Sequence, residues 1–327
     1  VDANRRRTLV LSAGLPASLW LPTARAQAYP SKPVRIVVPF TPGSVLDVLA
    51  RLYADRLQPA LGQPVIVDNK PGANQLIGVR SVTTSPADGY TVLLSTTELV
   101  RAPLTYPNAK FDPMTEFTPI ARVGSTSIFF VVPASSPAHT LQEFVELSRK
   151  APGGLNWGSL GQGSGPHFYG ELIASQTGAK MNHVPYKGEV PMLPDLFDGR
   201  LAAGWVSGLP AAQYTKEGKL RALGAGSVKK RVASLPQVPT LAELGIAGTD
   251  VEGFIGYFVA AGTPPAAVKR LSTEMDRIAS LPEMRERMLS FGFEPQFGGT
   301  PESFRAAMQD VHDGWSRVNK MVKIVID

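Results

Sequence analysis

The stretch IVVPFTPGSVLD (Ile36–Asp47) passes from a β-branched apolar run, through Pro-Gly-Ser, into what reads as the start of a helix. Such a run suits a buried strand, and a strand handed straight to a helix is the opening of an α/β unit. The same alternation continues along the chain. Strands are expected at Val34–Val38, Val65–Val67, Thr91–Leu94, Ile128–Val132, Leu155–Gly158, Met181–Val184, Leu201–Val206, Leu220–Ala225 and Ile255–Ala260. Between them Leu46, Leu49, Ala50, Tyr53 and Leu57 mark one apolar helix face; Phe168, Leu172 and Ile173 mark a second, and Met192, Leu193, Leu196 and Phe197 a third. Repeated strand, helix, strand implies largely parallel sheets covered by helices on both sides.

Helix starts are punctuated. Thr140-Leu141-Gln142-Glu143 reads as a capping box, and Thr263-Pro264 and Thr300-Pro301 each place a hydroxyl at the cap with proline next. The stripe Phe304, Ala307, Met308, Val311, Trp315, Val318 predicts a long C-terminal helix packed across the molecule.

Residues 1–28 read differently. Arg5, Arg6 and Arg7 precede an apolar run, Thr8 to Leu21, and two small-x-small patterns end at Ala26 and Ala28, as in a secretory leader with weak twin-arginine character. The mature chain is therefore expected to be exported and soluble. Removing that leader takes away four arginines and one aspartate, so the net charge of +6 falls to +3. Spread over the chain, +3 is no nucleic-acid footprint but is compatible with a small anion. No cysteine is present, which excludes disulfides, thiol catalysis and thiolate metal sites.

Two Gly-rich bends follow strands and lead into helices: TPGS (Thr41–Ser44) and GSLGQGSGPH (Gly158–His167). A helix start carries unpaired N–H groups and partial positive charge, a ready place for a carboxylate or phosphate. Glycine admits the ligand to the backbone, and Ser44, Ser159 and Ser164 add hydroxyls. Gly-Ser loops also turn chains and cap helices without binding anything; two at equivalent places favour binding. Enzyme motifs fit poorly. The second bend lacks P-loop spacing and its terminal lysine, Pro166 breaks G-x-G-x-x-G, and neither G-x-S-x-G nor H-E-x-x-H occurs. The four histidines, at 139, 167, 183 and 312, have no ligand spacing, so neither metal nor cofactor is expected; only His167 sits beside a bend.

The segments YPSKPVRIVVPFTPGSVLDVLAR, PADGYTVLL, GSLGQGSGPH, NHVPYKG, GKLRALG, LPQVPTLAELG and AAGTP, in this order over the mature chain, resemble the Bug-type substrate-binding receptors of tripartite tricarboxylate transporters. The resemblance implies a two-lobed, type II periplasmic binding protein (Venus flytrap). It also implies a small organic acid as ligand, membrane permease subunits as partners, a periplasmic location and, as expected here, a monomer. Lobe 1 would be residues 29–125 plus 251–327 and lobe 2 residues 126–250. Carried over, it points to Phe40, Thr41, Pro42, Gly43, Ser44 and Asp47 on the first lobe. On the second it points to Ser159, Gly161, Gly163, Ser164 and His167, with Tyr186, Lys187, Gly188 and Asp195. Asp47 and Asp195 read equally well as loop anchors, and Lys187 as a solvated side chain.

The chain departs from the family pattern where Ser44 replaces a glycine, where Asn74-Gln75 replaces a glycine pair, and where Glu189 replaces a small residue. Glu98 is a further acid placed to line the cleft. Extra acids disfavour a second ligand carboxylate, so an amide-, amine- or hydroxyl-bearing monoacid is as well supported as a dicarboxylate. Glu189 as a plain helix cap remains the alternative. An exported α/β enzyme acting on a similar acid through His167 and Asp195, and a ligand-sensing subunit of the same fold, also stay open.

Overall fold

The computed structural model describes residues 29–73, 75–324 and 326. The expected leader, residues 1–28, and Asn74 lie outside the described residues. The first run is β1 (Val34–Val38), α1 (Val45–Leu61), β2 (Val65–Asn69), α2 (Leu76–Thr83), β3 (Thr91–Thr96), α3 (Glu98–Thr105), α4 (Pro113–Glu116) and β4 (Phe117–Thr126). The second is β5 (Ile128–Pro133), α5 (Leu141–Lys150), β6 (Leu155–Ser159), α6 (Gly165–Thr177), β7 (Met181–Pro185), α7 (Leu193–Phe197), β8 (Ala203–Ser207), α8 (Gly208–Lys216) and β9 (Leu220–Gly226). The third is β10 (Ile255–Ala260), α9 (Pro265–Ala279), α10 (Pro282–Ser290), β11 (Phe293–Pro295) and α11 (Pro301–Met321).

Two sheets result, with strand orders β11-β4-β10-β3-β1-β2 and β7-β6-β8-β5-β9. The two-lobed α/β architecture is as expected, but the expectation of largely parallel sheets needs correcting, since each is mixed. β1 pairs in parallel with β2 and β3, whereas β10 runs antiparallel to β3 and β4. In the second sheet β6 is parallel to β7 and β8, and β5 is antiparallel to β8 and β9. The reason is where the chain crosses between lobes. β4 ends at the crossing, β5 starts from it and β10 starts from the return, so β5 and β10 each run away from the crevice, against the strands beside them.

β4 was not foreseen. Pro119, Arg122 and Gly124 interrupt its pattern, yet the ten-residue strand pairs with β10 across two register shifts. One cap also differs. Thr263 is not the cap of α9, because Pro264 precedes another proline and is held extended (ψ 135°), which delays the helix to Pro265. The Thr263 hydroxyl donates instead to the Ala260 carbonyl at 2.8 Å.

Helix α1 starts at Ser44, whose side chain accepts the Asp47 N–H, and stops at Gly62 in the left-handed region (φ 67°). Its Leu49, Ala50, Tyr53 and Leu57 are buried on the outer face of the first sheet. Helix α11 fastens both lobes. Near its start Phe304 packs against Phe254 and Phe258, with ring centroids 5.3 and 5.2 Å away. Three turns on, Trp315 packs against Phe168 and Tyr169 of α6, both at 5.5 Å. Among the described residues no helix is long and apolar enough to cross a membrane.

Candidate functional site

The two Gly-Ser bends share one local construction. In the first, Gly43 has φ 81° and donates its N–H to Asp47 Oδ2 at 2.9 Å, while the Ser44 hydroxyl accepts the Asp47 N–H at 3.2 Å. In the second, Gly163 has φ 69° and donates to His167 Nδ1 at 3.0 Å, while Ser164 accepts the His167 N–H at 3.4 Å. Each helix thus begins with a serine cap and a side chain that reaches back to the glycine before it.

A cavity of about 280 Å³ lies between the lobes. Thr96, Thr97 and Arg101 line it from the first lobe, and Ser164, Ser207 and Ser227 from the second. Arg101 is 4% exposed; it donates to Glu98 on its own helix and to the Gly163 carbonyl across the crevice, over the rings of Phe168 and Trp315. Tyr106 bridges in the same sense, its hydroxyl donating to the Gln162 carbonyl at 3.2 Å. A larger recess of about 820 Å³ is built from β4, α9 and the start of α11 alone, so neither bend reaches it.

Of the residues expected from the sequence, Ser164 and also Glu98 line the cavity. Thr41, Pro42 and Gly43 are exposed, Phe40 is half-buried with its carbonyl accepting from Asn69 at 3.1 Å, and none of the four belongs to that lining. Asp47 is 2% exposed and saturated by Gly43, by Asn69 at 2.8 Å and by two Arg51 contacts at 3.0 and 3.1 Å. Burial alone would raise its pKa, but these bonds outweigh it and hold the carboxyl below its usual range. Its geometry is that of a loop anchor. Gln75 accepts from Ser95 at 2.9 Å and donates to Thr96 at 3.4 Å, one side chain behind the cavity.

On the second lobe Ser159 is fully buried. Its hydroxyl donates to the Gly161 carbonyl at 3.0 Å and lies 2.6 Å from His183 Nε2. His183 stacks on His167 with centroids 3.8 Å apart and planes at 15°. Both pKa values fall to about 4: His167 through burial, then His183 and Arg101; His183 through burial. Both rings are therefore neutral at pH 7, and His167 carries its proton on Nε2. Tyr186 donates to Asp195, which also pairs with Arg200 at 2.7 Å, again a loop anchor; Lys187 is exposed and Gly188 turns the chain at φ 97°. Tyr186 is pushed up to about 12 by burial and by Asp195. Glu189 Oε2 accepts both the N–H (3.1 Å) and the hydroxyl (2.8 Å) of Ser207. Burial raises the Glu189 pKa against the pull of those two bonds.

Arg101, Ser207 and Ser227 were not foreseen as site residues. Ser207 had a readable signal, because Val206 ends an expected strand and Ser-Gly follows, a third strand-bend-helix. Arg101 had only its spacing of three from Glu98. Among the described residues no group of three or more metal-ligating side chains comes together.

Comparison with known proteins agrees with this geometry. The family model described as "Tripartite tricarboxylate transporter family receptor" matches residues 49–324. Protein BugT of Bordetella pertussis is 32% identical over 299 residues, 90% of each chain. Among solved structures, an R. palustris protein with adipate is 31% identical with a TM-score of 0.77, covering 89% of this chain and 97% of its own. MatC from Rhodopseudomonas palustris with bound malate is 26% identical with a TM-score of 0.76, covering 89% of this chain and 99% of its own. With sequence, fold and crevice in agreement, the chain belongs to the tripartite tricarboxylate transporter receptor family.

Proposed function

We propose that this protein is an exported receptor that captures a small organic acid between its lobes and presents it to membrane permease subunits of a tripartite transporter. The observation that carries the reading is that the same fold, matched over 89% of the chain, holds adipate in one relative and malate in another. Lobe 1 is residues 29–125 plus 251–327, lobe 2 residues 126–250, and the hinge lies where β4 leads into β5 and where the chain returns to β10. The acid sits between the helix starts at Ser44 and Ser164, where backbone N–H groups and the Ser44 hydroxyl offer an anion donors without a dedicated cation. Ligand closes the hinge because only the closed form satisfies it from both sides. The receptor works as a periplasmic monomer and returns its ligand unchanged.

The test is calorimetric titration of the mature protein with a panel of mono- and dicarboxylic acids that includes malate and adipate, with small-angle scattering for compaction. Saturable binding with compaction, and recovery of the acid chemically intact, is the expected result. No binding across the panel, or turnover of a bound acid, would sink the reading.

A further inference from the structure

Helix α8 offers a further helix start at the crevice, and Ser207 at its cap lines the cavity. At α1 and α6 the cap is completed from within the helix itself. At α8 it is completed by Glu189, from the loop after β7, whose Oε2 takes both the N–H and the hydroxyl proton of Ser207. A carboxylate receiving a backbone N–H and a hydroxyl at a helix start occupies the place an external anion would take. Its second oxygen, Oε1, is buried with no partner among the described residues.

We propose that Glu189 is a built-in stand-in for a ligand carboxylate, and that this chain therefore selects a monocarboxylic acid whose other end bears a hydrogen-bond donor (amide, hydroxyl or ammonium) over a dicarboxylic acid. This rests on the receptor reading above. Three further observations converge on it. Among the described residues Arg101 is the only lysine or arginine lining the cavity, and it is already held by Glu98 and the Gly163 carbonyl, so none of them brings an uncommitted cation to a second carboxylate there. Ser207 gives its proton to Glu189 at 2.8 Å and Ser227 gives its own to the Val251 carbonyl at 3.3 Å, so both hydroxyls offer lone pairs to the cavity. Glu189 Oε1 is a further buried acceptor beside Ser207, and the same cavity is lined by Ser127, Tyr169 and Trp315, whose buried donors have no partner among the described residues. The cavity therefore suits a ligand end that both donates and accepts, as an amide or hydroxyl does, whereas a carboxylate beside Glu189 would meet like charge.

Isosteric acid pairs test this. Succinate and its monoamide succinamate, and adipate and its monoamide, differ only in replacing one carboxylate by a donor-bearing amide. In calorimetry at neutral pH the wild type should bind the monoamide of the better-fitting length about tenfold or more tightly than the diacid. Glu189→Gln and Glu189→Ala should each shift that ratio about tenfold or more toward the diacid, with thermal melting confirming that both variants fold. Equal or tighter wild-type binding of the diacid would overturn the inference and leave the receptor reading standing. A ratio unchanged within about twofold in either folded variant would do the same, because the discrimination would then come from elsewhere. No binding of any of the four compounds, or of malate, would overturn the receptor reading and this inference with it.

Discussion

The bends at Gly43–Asp47 and Gly163–His167 are built alike and placed oppositely. Ser44 and Ser164 have nearly the same backbone angles (φ −65° and −69°, ψ 157° and 158°), and each accepts the N–H of the residue three ahead. The first bend stands open: Gly43 is exposed, and a Cβ there would meet nothing within 4 Å. The second is locked. A Cβ at Gly163 would fall 2.2 Å from Ile326 and 2.9 Å from Thr105, and its carbonyl is held by Arg101. The side chain that reaches back is a charged Asp47 in one bend and a neutral His167 in the other. An imidazole serves as acceptor only while deprotonated, and burial against His183 keeps it so. Local grammar therefore sets the shape of a bend, while distant partners set its charge and freedom.

The largest expected effect comes from removing the charged member. Asp47→Ala strands the Gly43 N–H, takes from the Asn69 amide one of its two acceptors and leaves Arg51 without its carboxylate, so it should cost about 2–4 kcal/mol. His167→Ala strands only the Gly163 N–H and unstacks His183, for about 1–3 kcal/mol. Urea unfolding of both variants measures the contrast. If His167→Ala proves the costlier, the carboxylate is not the stronger anchor.

This contrast was only half legible beforehand. Serine, glycine and the apolar runs identified both bends, because caps and strands are local. Nothing local marked Asp47 as saturated, since Asn69 reaches it from 22 residues away, or His167 as stacked on a ring 16 residues on. The cavity wall was harder still. Arg101 comes from within α3, Ser207 from the end of β8 and Ser227 from just past β9, and only the crossing between lobes brings them together. β4 escaped for the opposite reason: its local signals, Pro119 and Gly124, argue against a strand, and pairing with β10 overrides them.

Acid separates the bends next. Unfolded histidines take up protons near pH 6.5, and His167 and His183 in the fold only near 4, so between those values the unfolded chain binds more protons. Their contribution to stability is thus complete above about pH 6.5 and is lost as pH falls toward 4. Around the pair, Arg101 opposes protonation of His167, and Glu171 Oε1, 4.0 Å from Nε2, is the facing acid. Asp47, already depressed, titrates below that window. The expected loss from about pH 7 to about pH 5 is about 1–2 kcal/mol once solvent screening of half-buried rings is allowed for. Melting temperatures of wild type and of the double variant His167→Gln/His183→Gln decide it: the double variant should show the flatter profile, and parallel profiles would assign acid sensitivity to other groups.

The smallest expected effect is the most discriminating for function. Ser44→Ala and Ser164→Ala each remove one cap acceptor and should cost similar stability, about 1 kcal/mol. Their hydroxyl protons differ. Ser164 gives its own to the Gly161 carbonyl at 2.7 Å, whereas the Ser44 hydroxyl accepts from Asp47 and has no acceptor for its proton among the described residues. A carboxylate drawn to the open bend is the natural acceptor, so Ser44→Ala should weaken acid binding about 5- to 20-fold. Ser164→Ala should change it no more than about threefold, although Ser164 is the one that lines the cavity. Calorimetry on the two variants with the same acid reads the difference. Equal losses would mean that the two bends share the anion evenly and that the committed proton of Ser164 is released when ligand arrives; a larger loss at Ser164 would move the carboxylate to the second lobe.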